Sequence, residues 1–523
     1  MGTLKEKTVF IPTIYDVEEI KTIDQTVAGS YDAWCGEVFA GSRNNDAPTE
    51  NSLIYSPFHR LTVNGQAVPV YTARCGKGGH SFAWIDVINE GDFALEMELA
   101  MSFTPEKCAV LPLSRGVAPM VEGKTVRTAI GDTGSFTFTF GKVDAVATDP
   151  KLAPLTVMVC REEKLTPPEG YEVVEINPGY YDDDALEFTE SKKVYRFLPG
   201  FYDLCSIGLP SDSMLYIDRG AYLKMAERKN PDGTWITRGC IHANYVKNVS
   251  VVCRGLLDCG QLLGGDDSHR QPFVCGCSEQ VSVSGLMVIN SPGWSVCAYK
   301  SKHYTVERCL LLSYRTFSDG IMMSDCAYGT GRYNFVRTGD DSMEFKGTGW
   351  WSGDEPGHDC LFEYNDLWTD KGAGYCLTWE SEMPMTNMVF RNNSIGFAQP
   401  VWTDRNTALD CLLGTNANIT WGKVLFENIE IYHVISPNAI NLQIMGKGAR
   451  LEDITFRNIS VHSAEEGVYA CRMHYSAEGG EFKNIRLENV EFCGEKMTEN
   501  HKNDPKLFCN EAPAFFGELK VLG

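Results

Sequence analysis

LEDITFRNISVHS, residues 451–463, is the stretch that decides the fold. Two short β-prone runs flank Arg457-Asn458, and the same form stands on either side of it. KVLFENIEIYHV (423–434) precedes it and FKNIRLENVEF (482–492) follows. Looser copies begin at Asn248 (NVSVVCRGLLDC), Gln280 (QVSVSGLMVINS), Tyr304 (YTVERCLLLSY), Arg332 (RYNFVRTGDDS) and Met385 (MTNMVFRNNSI), with CLFEYNDLW (360–368) in the widest interval. A constant strand core with variable spacing is the mark of a parallel β-helix, whose loops vary while its stacked strands cannot. The LxxLxLxxN pattern of a leucine-rich repeat is absent. The reading is a right-handed parallel β-helix, entered near SMLYIDRGAYLKM (213–225).

The first part of the chain has another rhythm. FALEMELAMSF (93–103) places Leu95, Met97, Leu99, Met101 and Phe103 on one face, SFTFTFG (135–141) alternates Ser/Thr with Phe, and Asn64-Gly65 is a hairpin signal between β-prone runs. These features predict an antiparallel β-sandwich. The Pro- and Asp-rich stretch 161–193 reads as the connection. The expected fold class is therefore all-β, with a sandwich and linker over 1–185 and a parallel β-helix over 186–523.

The 523 residues carry 47 basic and 69 acidic side chains, a net charge of −22, with no basic run. That disfavours nucleic acid and anionic membranes as partners. No apolar run is long enough to span a bilayer. MGTLKEKTVFIPTIYDVEE (1–19) has no apolar signal core, which predicts a cytoplasmic protein, or a secreted one if a leader has been removed. The 19 cysteines are scattered and read as reduced, small core residues. No His/Cys spacing supports zinc, and neither cofactor nor metal is expected. The repeats carry no interface signature, so the oligomeric state stays open.

The chemistry gathers at three aspartates. Asp319, in TFSDG, precedes Asp340 by 21 residues and Asp341 by 22, in TGDDS. That is close to one short coil, and coils stack about 4.8 Å apart. The spacing therefore sets three carboxylates together on one wall. Crowded carboxylates raise at least one pKa, the requirement for general-acid and general-base work at a glycosidic bond. Aspartate is also common at solenoid turns, and the one-coil partner is what lifts the pair above that bland reading. Calcium binding in a lyase is the other use of such a cluster, with Arg337 the basic residue nearest in sequence.

Ser-Asp-Gly followed one coil later by Gly-Asp-Asp, on a β-helix, resembles the group formed by glycoside hydrolase families 28 and 49. Family 28 contains polygalacturonases. Family 49 contains dextranases and isopullulanases and places a β-sandwich before the β-helix, as here. The resemblance implies an inverting hydrolase with Asp340 as general acid and Asp319 and Asp341 holding and deprotonating the attacking water. The Gly-His-Gly of family 28 falls on Gly372-Ala373-Gly374, and its uronate-binding Arg-Ile-Lys on Trp402-Thr403-Asp404. An acid and a tryptophan in place of that cation pair imply a neutral oligosaccharide or α-glucan rather than a galacturonide. Polygalacturonase-like hydrolysis is the second reading, and a non-catalytic carbohydrate-binding β-helix the third.

Trp350, Trp351, Trp368, Trp379, Trp402 and Trp421 follow the aspartate pair. Indole faces stack on sugar rings, although some of the six must be core. Trp379 and Trp402 are the expected cleft residues. Glu380, Glu382 and Asp404 are candidate acceptors for sugar hydroxyls, Arg405 a counter-ion, and His358 a candidate substitute for the missing histidine. Asp266, Asp267 and His269 read as a loop bordering the cleft.

Overall fold

The computed structural model describes residues 10–22, 53–75, 79–141, 154–182, 185–264, 270–351, 353, 355–399, 407–414, 418–475 and 479–523. Its C-terminal repeats explain the motif that predicted them. Strands Thr420–Ile431, Arg450–Val461 and Glu481–Phe492 pair in parallel with Phe426, Phe456 and Leu487 in register. All three side chains are buried. The rings of Phe390, Phe426 and Phe456 stack 4.6 and 4.7 Å apart, within 9° of parallel, close to the spacing of neighbouring strands. Two residues beyond each ring position stands Asn428, Asn458 or Asn489, with φ of 54°, 53° and 52°. Asparagine is among the few residues that tolerate this left-handed conformation, and here it turns the chain between two faces of the solenoid. Each amide donates to the asparagine oxygen one coil below at 2.8 Å. The phenylalanine fills the core and the asparagine makes the corner.

These corners join two runs per coil into a 22-stranded sheet, while a third run adds to a parallel sheet of 11 strands. The 11-stranded sheet holds the candidate site. Its strands include Phe273–Gly276, Val296–Tyr299, Ile321–Ser324, Met343–Gly347, Tyr375–Ser381 and Leu409–Leu413.

Ahead of the solenoid, a seven-stranded and a five-stranded sheet pack face to face. Leu95–Met101 alternates buried and exposed along its length, as FALEMELAMSF predicts. Asn64 and Gly65 both have positive φ and turn the hairpin between His59–Val63 and Gln66–Val68. Gly134–Thr139 departs from simple alternation, because every residue in it is buried. Phe136 and Phe138 face the sandwich core, while Ser135 donates to Asp366 of the solenoid. The seven-stranded sheet is thus sealed on both sides. Trp84, Tyr71 and Met158 pack against Leu256, Met287, Leu310 and Phe335 of the β-helix. Asp86, fully buried there, accepts from Arg219 at 2.8 Å and from Arg254 at 3.2 Å.

The solenoid starts earlier than the sequence suggested. Glu172–Ile176 pairs in parallel with Lys193–Phe197, and Gly179–Tyr180 pairs with Tyr202 and Asp203. A boundary at 185/186 and an entry near 213–225 both fall inside the β-helix. Of the residues that read as a linker, Pro178 and Asp182 lie between strands of the first coil, and Pro167 and Pro168 precede its first strand.

Candidate active site

Asp319, Asp340 and Asp341 occupy the turns that lead into the 11-stranded sheet. Ile321 lies opposite Met343 across the parallel pairing, and the Gly320 N–H donates to the Asp341 carbonyl at 2.8 Å. The 22-residue offset is therefore one coil, and Asp319 sits directly beside the aspartate pair. The next coil closes over them. A side chain at Gly372 would meet the Asp340 and Asp341 backbone at 2.3 and 2.4 Å, so only glycine lets this turn approach. The close approach delivers the Ala373 N–H to Asp341 Oδ1 at 2.7 Å.

Lys346, on the strand that follows the pair, is almost completely buried. Its Nζ lies 2.7 Å from Glu380, 3.2 Å from Glu344 and 3.5 Å from Asp319, and 4.4 Å from the centre of the Trp294 ring. Glu344 is fully buried, and its partners among the described residues are the Lys346 ammonium and the Asp319 carboxyl. Asp341, Glu344 and Cys376 bring one donor atom each within 4.8 Å of one another, the dimensions of a small cation site. Of these three, Glu344 is the one paired with the Lys346 ammonium.

The electrostatics differ among the acids. Burial pushes the Asp340 carboxyl well above the usual range, and Asp341 adds to the rise while Lys346 opposes it. Asp319 is raised by burial, then by Asp340, with Lys346 opposing. Asp341 is also raised by burial, but Lys346 and the Ala373 N–H pull it back. Burial lifts Glu344 strongly, again against Lys346. Lys346 is itself penalised by burial, yet Glu344 and Glu380 outweigh this and keep it charged. Desolvation thus favours a proton on Asp340, while Lys346 and a backbone donor draw Asp341 back toward its ionised form.

An aromatic ledge borders the acids on the N-terminal side. Trp294 and Trp350 stack with centroids 5.4 Å apart and planes within 6°. Tyr299 stacks on Trp351 at 5.5 Å, and Tyr245 reaches the same ring at 5.7 Å. Trp350 is 56% exposed and Tyr245 68%. On the other side the floor is polar, with Cys376, Asp410, Asn441 and Arg472 in register along successive coils.

Several expectations are corrected here. His358 does not substitute for the missing histidine. It sits across a loop from the far end of the Met343–Gly347 strand, at the start of Gly357–Glu363 in the 22-stranded sheet, bonded to Asp359 at 2.7 Å and edge-on to Tyr328. Glu380 pairs with Lys346 through Oε2. Trp379 is half-buried, and a side chain at Gly414 would collide with its backbone and ring, so it packs on the neighbouring coil. Trp368 and Trp421 are core residues. Arg337 grips Asp370 through two bonds of 2.8 and 2.9 Å and lies 3.2 Å from His80 of the sandwich, which removes it as a lyase base. Trp402, Asp404 and Arg405, like Asp266, Asp267 and His269, lie outside the described residues. Trp294, Glu344 and Lys346 were not anticipated. Trp294 had a readable signal, because Val296 pairs with Ile321, which puts Trp294 one coil below Asp319.

No protein-family model matches the chain, and no curated protein matches it. Among solved structures, Dex49A from Penicillium minioluteum aligns with a TM-score of 0.67 at 11% identity over 98% of each chain. The match runs through both domains. The family 28 exopolygalacturonase of Yersinia enterocolitica aligns over 89% of this chain and 94% of its own, at 12% identity and a TM-score of 0.46. The catalytic domain of a GH87 alpha-1,3-glucanase, solved with nigerose, covers 89% of this chain and 85% of its own, at 11% identity and a TM-score of 0.45. The full-length likeness to Dex49A shows a shared fold: a β-sandwich followed by a right-handed parallel β-helix.

Proposed function

We propose that this protein is an inverting glycoside hydrolase acting on a neutral oligosaccharide or α-glucan. The observation that carries the reading is the meeting of buried Asp319 and Asp341 with half-buried Asp340 across one coil, beside an exposed indole. The full-length likeness to Dex49A, a family 49 dextranase, supports it.

In this mechanism Asp340 keeps its proton because it is desolvated next to Asp341. It gives that proton to the glycosidic oxygen as the bond to the anomeric carbon breaks. Asp341, steadied by the Ala373 N–H, and Asp319, steadied by Lys346, hold a water on the opposite face and take its proton as its oxygen bonds to the anomeric carbon. Attack from the opposite face inverts the configuration. Exposed Trp350 gives the apolar face of a sugar a surface to stack on.

Charge supports a neutral substrate. The cation at the centre, Lys346, already faces Asp319, Glu344 and Glu380, which leaves a surplus of acid that would repel a uronate. The test is proton NMR of the protein incubated with neutral oligosaccharides and, separately, oligogalacturonides, with Asp340→Asn alongside. A newly formed inverted anomeric signal from a neutral sugar, missing in the variant, is the expected result. Cleavage of the galacturonides would move the assignment to a polygalacturonase-like activity. Binding without cleavage of either would replace hydrolysis by carbohydrate binding.

A further inference from the structure

Asp319 and Asp341 can act together on a water only if something offsets the repulsion of acids packed out of solvent. Glu344 and Glu380 add two more carboxyls from the floor strands. Burying an ammonium costs several kcal/mol unless good partners surround it, so a buried lysine among these acids calls for a reason. Lys346 is held from three sides, by Glu380 of the next strand, Glu344 of its own strand and Asp319 of the preceding turn, with the Trp294 ring over it. Its reach to Asp319 crosses coils, as does its reach to Glu380. It therefore ties three successive coils together beneath the reacting acids.

We infer that Lys346 is a positioning residue for the hydrolysis proposed above: its ammonium, locked between Glu380, Glu344 and Asp319, fixes Asp319 beside Asp341 and balances their charge. The inference rests on that reading of the site. Glu344, paired with the ammonium at 3.2 Å and hydrogen-bonded to Asp319, completes the arrangement as the carboxyl that shares a proton with Asp319. The other groups facing Lys346 and these acids are Asp340, Cys297 and Tyr299 on the N-terminal side and Cys376 and Asp410 on the C-terminal side. Each of these groups is an acid that burial holds toward its neutral form, and a carboxyl, thiol or phenol carries no positive charge in either state, so none of them can replace the cation.

The test compares kcat/KM against pH for wild type, Lys346→Met and Lys346→Arg on a neutral oligosaccharide. Removing the cation raises the pKa of the carboxylates that must be ionised. Lys346→Met is therefore expected to move the acid limb up by about one pH unit and to lose at least about tenfold in rate below it. Lys346→Arg, which keeps the charge, is expected to restore the limb. A rate loss of equal size at every pH, or a limb that arginine does not restore, would leave Lys346 with a merely structural role and overturn the inference. Should Lys346→Met fail to fold, the double variant Lys346→Met/Glu344→Gln removes the cation with the acid facing it and is expected to show the same displaced limb. Infrared titration of the carboxyl stretch reads the charge arrangement without substrate. Wild type is expected to show a protonated-carboxyl band at neutral pH that weakens in Glu344→Gln and strengthens in Lys346→Met. If no sugar is cleaved, the hydrolase reading fails, while the infrared result still decides whether Lys346 balances the charge of these acids. An unchanged band in Lys346→Met sinks it.

Discussion

Replacing Asp340 by asparagine separates catalysis from folding, because the two should respond in opposite directions. The substitution keeps the shape of the turn. Asp340 Oδ1 accepts the Asp341 N–H at 3.0 Å, and an asparagine oxygen can accept the same bond. What is lost is the proton Asp340 would deliver. General-acid assistance is worth about 10²–10⁴ in rate, which is about 3–5 kcal/mol of barrier. Asp319, Asp341 and Lys346 stay in place, so a residual rate should remain. A substrate with a good leaving group needs little protonation and should recover most of the loss. Stability moves the other way. The native state holds the Asp340 proton to higher pH than the unfolded chain does, so the wild-type fold loses stability as pH rises from the ordinary carboxylate range toward the raised native value. Asparagine carries no proton to release and relieves its two acidic neighbours. The variant should thus equal or exceed wild type in stability at neutral pH, and the decline with pH should be shallower. The assays are kcat on natural and activated glycosides and urea unfolding across the pH range. A variant that cleaves the natural substrate at the wild-type rate would falsify the general-acid role. One that loses rate and stability together would show that Asp340 is structural.

Three further outcomes follow from the packing. Trp350→Ala should raise KM about fivefold at unchanged kcat, the worth of about 1 kcal/mol of ring stacking; an unaltered KM by steady-state kinetics would detach the ledge from substrate. Arg254→Met takes one of two arginines from fully buried Asp86 and should cost about 3–5 kcal/mol in denaturant unfolding, whereas a loss below about 1 kcal/mol would show that Arg219 suffices. Phe426→Ala cuts the ring ladder between Phe390 and Phe456 and should cost about 3–5 kcal/mol; a small change would mean that the coils re-pack around the gap.

The fold was legible because its two signals are local. The ring and asparagine of FENIEI, FRNISV and FKNIRL each answer to one physical demand, a core position and a left-handed corner. The aspartates were legible because their offset equals one coil. The start of the solenoid was obscured by composition: the prolines on either side of EVVEI, Pro167, Pro168 and Pro178, outweighed that short strand.

Lys346 and Glu344 were hidden for a different reason. In SMEFKG, Met343 and Phe345 belong to the core while Glu344 and Lys346 alternate with them, the pattern of a strand with one wet face. Alternation reports which residues point away from the core, not whether water meets them there. What removes the water is other coils, through the turn at Gly372 and the ring of Trp294, and neither is near in sequence. Arg337 shows the converse. It stands three residues before Asp340 and was the obvious cation for the cluster, yet its strand faces the sandwich and its guanidinium is spent on Asp370. In a solenoid, neighbours in function are set by register across coils. A column read two positions ahead of the Val296, Ile321, Met343 and Tyr375 pairings gives Trp294, Asp319, Asp341 and Ala373, and that column contains one indole of the ledge, two of the acids and the backbone donor.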